Sequence, residues 1–502
     1  MDAYLRQKAD DNNKPLNVER VDPVSFVKIE NSKVVVLGEF KPFMLNPGES
    51  VILQFPEHHV GYINYKAISK GNIADSPTVI KVIAAEYIAE LTTPQDEYDG
   101  VLSSGWLQRE ERASLFLPAS ERLNRRFAFN LLKVERLDTG IFPIEITELY
   151  CDAVSTSSME NLKKLNCENQ RLQAIYRFSA KTLLDCSQDV IEDAPKRDCR
   201  LWTGEFRISA LVDTETFRNR NLVKRCLYLF GAHKIDDRIV APCVFQYSPP
   251  YIDDDWYFID FVLWFVAALN DYDEAYGEQE ILDDLYPTAR EQLKIAKDWY
   301  DNIYRHPRAS FWIDWKTELD RSTSIVGLYL YVLRKAKRLA QKKNDKETVD
   351  FIEKEIERQT EKLLAYFDKD KNLFSSDSGQ ISVASQIYGI LSGIFDKEKC
   401  SSILDTINVY GDKAIPLHTP NIHHYYLEAM YKAGRKDLMM DLIENVWGRL
   451  IDDGELCSPE YLPWIKCITK YKHPVMDSAC HGSGAAPAYW LQILAKENGG
   501  KL

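Results

Sequence analysis

The sequence predicts a two-part chain: an N-terminal antiparallel β-sandwich over residues 1–155, then a helical toroid over 156–502. Three observations carry that expectation. Before residue 155, short apolar runs are separated by turn signals, the pattern of many short strands. Beyond it, apolar residues recur with helical spacing to the C-terminus. Of the ten tryptophans, only Trp106 precedes residue 200.

The strand candidates follow in order. Val34–Leu37 is a short apolar run, and Val51–Phe55 follows the turn Asn46-Pro47-Gly48. Tyr62–Tyr65 alternates apolar and polar residues. Thr78–Ala85, Ser114–Leu117 and Arg126–Val134 complete the set, and many short strands joined by turns imply a sandwich. In the second part, Leu172, Ile175, Tyr176, Ala180 and Leu183 mark one helical face, and Leu222, Cys226, Leu229 and Phe230 another. Helical stretches continue at Trp256–Asn270, Glu280–Tyr304, Ser322–Gln341, Lys346–Phe367, Ser382–Gly393, His424–Ala433, Leu438–Leu450 and Gly484–Ala495. Successive helical hairpins of this number close most simply into a ring of paired helices.

Composition narrows the function classes. A formal net charge of −13 opposes a phosphate backbone or an anionic membrane, and the mixed run Lys335–Lys343 does not offset it. The ten cysteines are scattered without a CxxC pair, which predicts reduced thiols and a cytoplasmic location. Met1–Pro15 has no apolar signal core, and no stretch reaches the length of a membrane span. Self-association is left open.

The chemistry concentrates in one loop. Glu192-Asp193-Ala194-Pro195-Lys196-Arg197-Asp198-Cys199-Arg200-Leu201-Trp202-Thr203-Gly204-Glu205 packs four carboxylates and three basic groups between two helices. Charges crowded in an enclosed loop shift one another's pKa values, as glycoside cleavage requires, whereas a solvated helix connection explains the same composition without function. Trp202, Trp256, Trp312 and Trp315 stand beside acidic residues in loops and offer stacking surface for the apolar faces of sugar rings.

The spacing Asp-x-Pro-x-Arg-acid, then Trp-x-Gly-acid, resembles the active-site signature of the inverting α-L-rhamnosidases. The resemblance implies an (α/α)6 barrel behind β-sandwich domains and a small glycoside or oligosaccharide as substrate. It puts Asp198 on the general acid, Asp193 and Glu205 on acids that hold sugar hydroxyls, and Arg197 and Trp202 on the signature's arginine and tryptophan. Asp198 stands where the family carries Glu, and Cys199 where a longer variant of the signature carries its Glu. Trp447-Gly448 through Pro459-Glu460 resembles the segment bearing the general base, which falls on Glu460, with Pro459 where the family has Trp. Phe311-Trp312-Ile313-Asp314-Trp315 resembles the family's Asp-Trp loop, and Asp477 through Pro487 its last loop, making Asp314 and His481 sugar contacts.

No cofactor or metal is expected. His58-His59 and His423-His424 are adjacent pairs, without the i, i+4 spacing of helical zinc ligands, and Asp253-Asp254-Asp255 reads as a solvated turn. Two other readings stay open: a sugar-binding relative that lost the chemistry, and a hydrolase of another sugar such as an unsaturated uronide. The latter calls for an arginine-lined pocket, for which only Arg197, Arg200 and Arg207 are at hand.

Overall fold

The computed structural model describes residues 2–72, 76–100, 102–114, 116–245, 251–252, 257–302, 309–464, 475–499 and 502. Parts of three expected elements, at Leu115, Trp256 and residues 303–304, lie outside them, as do Asp253–Asp255.

The first part is an antiparallel sheet domain. Its strands are β1 (Asn17–Val21), β2 (Ser25–Glu30), β3 (Lys33–Glu39), β4 (Phe43–Leu45), β5 (Ser50–Ser69), β6 (Thr78–Ala85), β7 (Arg109–Ser114), β8 (Ala119–Arg122), β9 (Phe127–Arg136) and β10 (Ile144–Ser155). The main path runs β1-β10-β5-β9-β6-β7. The two runs expected at 51–55 and 62–65 belong to one strand, β5, whose register against β9 breaks between Gln54 and His59. Pro56 sits in that break, where its missing N–H costs no ladder bond. The break lets β5 change partners, from β2 on its first half to β8 and β10 on its second.

The second part is helical: α3 (Gln170–Cys186), α4 (Thr203–Glu215), α5 (Arg220–Ala232), α6 (Ile259–Tyr276), α7 (Gln279–Asn302), α8 (Ser322–Lys342), α9 (Lys346–Ala365), α10 (Val383–Leu391), α11 (Lys397–Tyr410), α12 (Pro420–Lys432), α13 (Lys436–Ile443), α14 (Arg449–Asp452) and α15 (Ala486–Glu497). α4 packs on α6, α6 on α8, α8 on α10, α10 on α12, and α15 on both α12 and α4. Burial follows this arrangement. α6 is buried on every face from Ile259 to Asp273, as an enclosed helix must be. α9, packed outside α8, buries only the stripe Thr348, Ile352, Glu355, Gln359 and Leu363.

Two short helices lie in the N-terminal stretch, α1 (Ala3–Asp11) and α2 (Ile88–Thr92). Leu5 and Ala9 of α1 join the helical core rather than the sheet core, and Arg225 Nη1 donates to Ala9 O at 2.9 Å. No helix among the described residues is long and apolar enough to cross a membrane.

Buried ions join the two parts. The His58 ring on β5 lies between Glu86 Oε1 at 2.9 Å and Asp185 Oδ2, on α3, at 2.7 Å. Lys181 Nζ meets both Asp185 oxygens at 2.6 Å. Asp185, His58, Cys457 and Cys480 lie at metal-ligand spacing, but the Lys181 ammonium already supplies the positive charge there. Burial opposes the charged ring, yet Cys457 and the Asp185 and Glu86 carboxylates raise the His58 pKa well above its usual value. Asp185 is held down at about 2, by Lys181 and His58 against burial.

His58→Phe removes the cation that joins two buried carboxylates and leaves Asp185 to Lys181 and Glu86 to Lys196, a loss of about 1.5–3 kcal/mol. Sign follows from the shifts. The His58 contribution is complete below its unfolded pKa of about 6.5 and fades as pH rises through the raised folded value; that of Asp185 is complete above about 3.9 and fades as pH falls toward 2. Calorimetry should therefore show the widest Tm gap between wild type and His58→Phe from about pH 4 to 6.5. A gap that is constant up to alkaline pH contradicts this account.

Candidate active site

The chain leaves α3 at Cys186 and re-enters helix at Thr203, and the intervening loop is buried from Val190 to Arg197 despite its charges. A solvated connection is thereby ruled out. Three of its charges have partners outside the loop. Arg126 Nη2, on the strand domain, donates to both Glu192 oxygens at 2.8 and 2.6 Å. Lys196 Nζ donates to Asp477 O at 2.6 Å and lies 3.1 Å from Glu90 Oε1. Arg197 Nε donates to Met476 O at 2.8 Å.

The chain reverses through two successive left-handed residues, Asp198 at φ 69° and Cys199 at φ 49°. Asp tolerates that region better than most residues. The turn closes with Cys199 N donating to Ala194 O at 3.1 Å, and its neck with Asp193 N donating to Arg200 O at 3.0 Å. The Cys199 thiol turns to Pro195 O at 3.2 Å, and burial, with the Glu192 carboxylate, pushes it up to about 12.

This turn brings the distant half of the site together. Arg197 Nη1 lies 3.6 Å from Asp198 Oδ2, and Nη2 of the same guanidinium donates to Glu460 Oε2. Glu460 also bonds the Trp315 side chain, and its backbone N donates to Ser478 O at 3.1 Å. His481 is placed beside them by donating its backbone N to Ser458 O at 2.9 Å; its ring, held at about 3 by burial and by Arg197, is neutral.

The carboxylates crowd. Burial first, then Asp198 and Glu205, push Asp193 well above the usual range. Glu205, in the first turn of α4, is raised to about 8 by burial, with Glu460, Asp260 and Asp198 adding to it. Burial raises Glu460 too, against the pull of Arg197.

An arc of edge-on rings borders these acids. Trp202 meets Phe261 at 6.0 Å, Phe261 meets Trp312 at 6.4 Å, and Trp312 meets Trp315 at 6.1 Å. Trp256 lies outside the described residues. Asp314 differs from the expectation of a sugar contact: its carboxylate accepts from Trp315 N, His418 N and Thr419 Oγ1 at 2.9, 2.8 and 2.8 Å. With its lone pairs so occupied, it positions the tryptophan loop against the start of α12.

Asp260 was missed. At the start of α6 it accepts from Trp312 N and Ile313 N, both at 3.1 Å, and burial raises it to about 6. Those bonds hold Ile313 at φ 57°, a costly conformation for a β-branched residue. A carboxylate inside the apolar run Phe258–Leu269 was the available signal.

Two family models match the chain: the glycosyl hydrolase family 78 alpha-rhamnosidase N-terminal domain over residues 17–153, and the bacterial alpha-L-rhamnosidase 6 hairpin glycosidase domain over 160–493. No curated protein matches by sequence. Among solved structures, the chain is similar to a rhamnosidase from Klebsiella oxytoca with rhamnose bound, at TM-score 0.91 and 28% identity over 98% of this chain and 99% of that one. It shares its fold with the family 78 rhamnosidase of Bacillus sp. GL1, at TM-score 0.75 and 19% identity over 91% and 48% of the two chains. It also shares it with the Streptomyces avermitilis α-L-rhamnosidase complexed with L-rhamnose, at 0.66 and 16% over 95% and 44%.

Removing a neighbouring negative charge must lower the Glu205 pKa. A 13C-carboxyl probe on Glu205 should titrate near 8 in wild type and at a lower pH in Glu460→Gln. Titration near 4.5 in wild type contradicts the burial argument.

Proposed function

The chain belongs to the bacterial α-L-rhamnosidase family and is a glycoside hydrolase, and from that premise we propose that it cleaves terminal α-L-rhamnosyl residues from small glycosides with inversion at the anomeric carbon. One observation carries the mechanistic part: a single buried guanidinium, Arg197, holds Asp198 on one amino group and Glu460 on the other. Two carboxyl groups on opposite sides of a scissile bond are what glycoside hydrolysis uses, and an inverting pair stands about 6.5–9.5 Å apart to admit a water.

In this reading Asp198 gives its proton to the departing glycosidic oxygen. Glu460, whose ionised form Arg197 favours against burial, takes a proton from the water that attacks the opposite face of the sugar. Asp193 and Glu205 hold ring hydroxyls, Glu205 as a donor because it retains its proton to about pH 8. Trp202, Trp312 and Trp315 form the apolar wall, and His481 offers a neutral ring nitrogen. The finer architecture is part of the proposal: a β-sandwich to residue 155 and an (α/α)6 barrel from 156, supported by the closed succession of packing from α4 to α15. The unpaired cysteines support a reducing, cytoplasmic setting.

A second reading exchanges the acid. Glu205 holds a proton at neutral pH and faces Glu460, so it too has the makings of a proton donor.

Leaving-group dependence separates the two. With an alkyl α-L-rhamnoside, Asp198→Asn should lose about 10²–10⁴-fold in kcat/KM, and with a dinitrophenyl rhamnoside, whose aglycone needs no proton, much less. Glu460→Gln should lose activity on both. The same leaving-group pattern in Glu205→Gln instead of Asp198→Asn assigns the acid to Glu205. Proton NMR of the first-formed sugar should show the β-anomer; the α-anomer defeats inversion.

A further inference from the structure

A second pocket, open to solvent on one side, lies at the other end of the helical ring. Glu205 is in the first turn of α4, and Glu215, about 15 Å further along the helix axis, borders a cavity of about 220 Å³. Its walls come from α4, α6, α8, α12 and α15, and among the described residues none of the loops that carry Asp198, Trp312 or Glu460 reaches it. Arg207, two residues beyond Glu205 and itself part of the cavity wall, lies over the Trp264 and Tyr425 rings, which stack on each other at 4.6 Å.

Four groups lining the cavity make it polar in a particular way. His424 is fully buried, and neither ring nitrogen has a hydrogen-bond partner. Glu428 Oε1 accepts from Tyr331 at 2.6 Å, while Oε2 has no partner. Oε2 faces His424 Nε2 at 3.9 Å and Arg207 Nη1 at 3.8 Å, beyond direct bonding. The buried Trp490 Nε1 is a further donor without a partner. An oxygen lodged against Oε2 reaches its neighbours at about 2.8 Å, if it can both donate and accept.

That requirement selects hydroxyl groups. Burial, with Arg207, holds the His424 pKa well below its usual value, so the neutral ring offers one donor and one acceptor. The charges nearby are already balanced: Asp271 takes Arg207 Nε at 2.9 Å and Lys335 Nζ at 2.7 Å, and Glu215 takes Lys163 and Lys496. An added anion would meet Glu428 and the carbonyl ends of α4 and α6, which repel it. The volume is many times the ~30 Å³ of one water and below the ~300 Å³ where drug-sized pockets begin, which fits one sugar ring or short polyol.

We propose that this cavity is a second binding site, for a neutral monosaccharide or polyol, separate from the acids around Asp198. Saturation-transfer NMR with L-rhamnose, D-mannose and xylitol tests it on the full chain. Thr214→Trp plugs the cavity from its rim, and Glu428→Gln changes the hydrogen-bond pattern with little change of shape. At least one probe should bind wild type with a component that Thr214→Trp abolishes and Glu428→Gln weakens at least tenfold. Hydrolytic turnover of Thr214→Trp at the wild-type rate shows that the plug leaves the fold intact. If all three probes bind all three proteins alike, or none binds, the cavity holds only ordered water and the proposal falls.

Discussion

The site rests on two adjacent cations buried between the two parts of the chain. Lys196 turns toward Glu86 and Glu90 on the strand side, and Arg197 toward Glu460 and Met476 O on the helical side. Neither cation tolerates burial alone, since an unpaired ion in a protein interior costs several kcal/mol even after relaxation. The dipeptide therefore acts as a clamp: it is stable only where both carboxylate sets close on it. Asp198 follows immediately, and its left-handed backbone is held by a turn that the clamp fixes. Arg126, gripping Glu192 from the strand domain, extends the same logic to the start of the loop. The strand domain is thus part of the structure that places the acids.

Once the loop is buried, its electrostatics follow from a shortage of cations. Asp193, Asp198, Glu205, Glu460 and Asp260 act on one another, and Arg197 is the guanidinium that contacts two of them. His481 does not help, because the same guanidinium and burial keep its ring neutral. In a low-dielectric site such a group cannot ionise fully, and the protons it keeps belong to the set rather than to one residue. The arrangement supplies at once a retained proton and a carboxylate whose ionised form is favoured by direct contact with a cation.

What the sequence disclosed and what it hid divide along a physical line. The loop from Asp193 to Glu205 was legible because its residues are contiguous, and their spacing is itself the signal. Glu460 and His481 were legible only through resemblance, since periodicity says nothing about which distant loops meet. Asp260 was hidden inside an apolar run that reads as plain core, and Glu86, Glu90, Arg126 and His58 are scattered through the N-terminal part with no local pattern that marks them. They are recognised only by what lies across the domain boundary. α1 was passed over because it is polar and short; its helix depends on the Asp2 cap and on burying Leu5 and Ala9 against α5. Asp314 was read as a sugar contact through the resemblance of its loop, while its carboxylate is taken up by the protein's own donors.

The helix ring also explains why one end suits an acid-rich site and the other does not. Glu205 and Asp260 lie in first turns, and Thr419 caps α12, so unpaired N–H groups and the positive ends of helix dipoles converge there. That field favours carboxylates, partly offsetting the cost of burying them, and it lets a crowd of acids persist without a matching crowd of cations. At the opposite end the same helices present carbonyls, and the sequence answers with bases near the last turns: Arg338 and Lys342 of α8 reach Asp273 of α6, and Lys335 reaches Asp271. Most charges there come as closed pairs, and they line the space together with the neutral His424, Tyr489 and Trp490. The polarity of the helices thus sorts the lumen into an end organised around shared protons and an end organised around completed ion pairs.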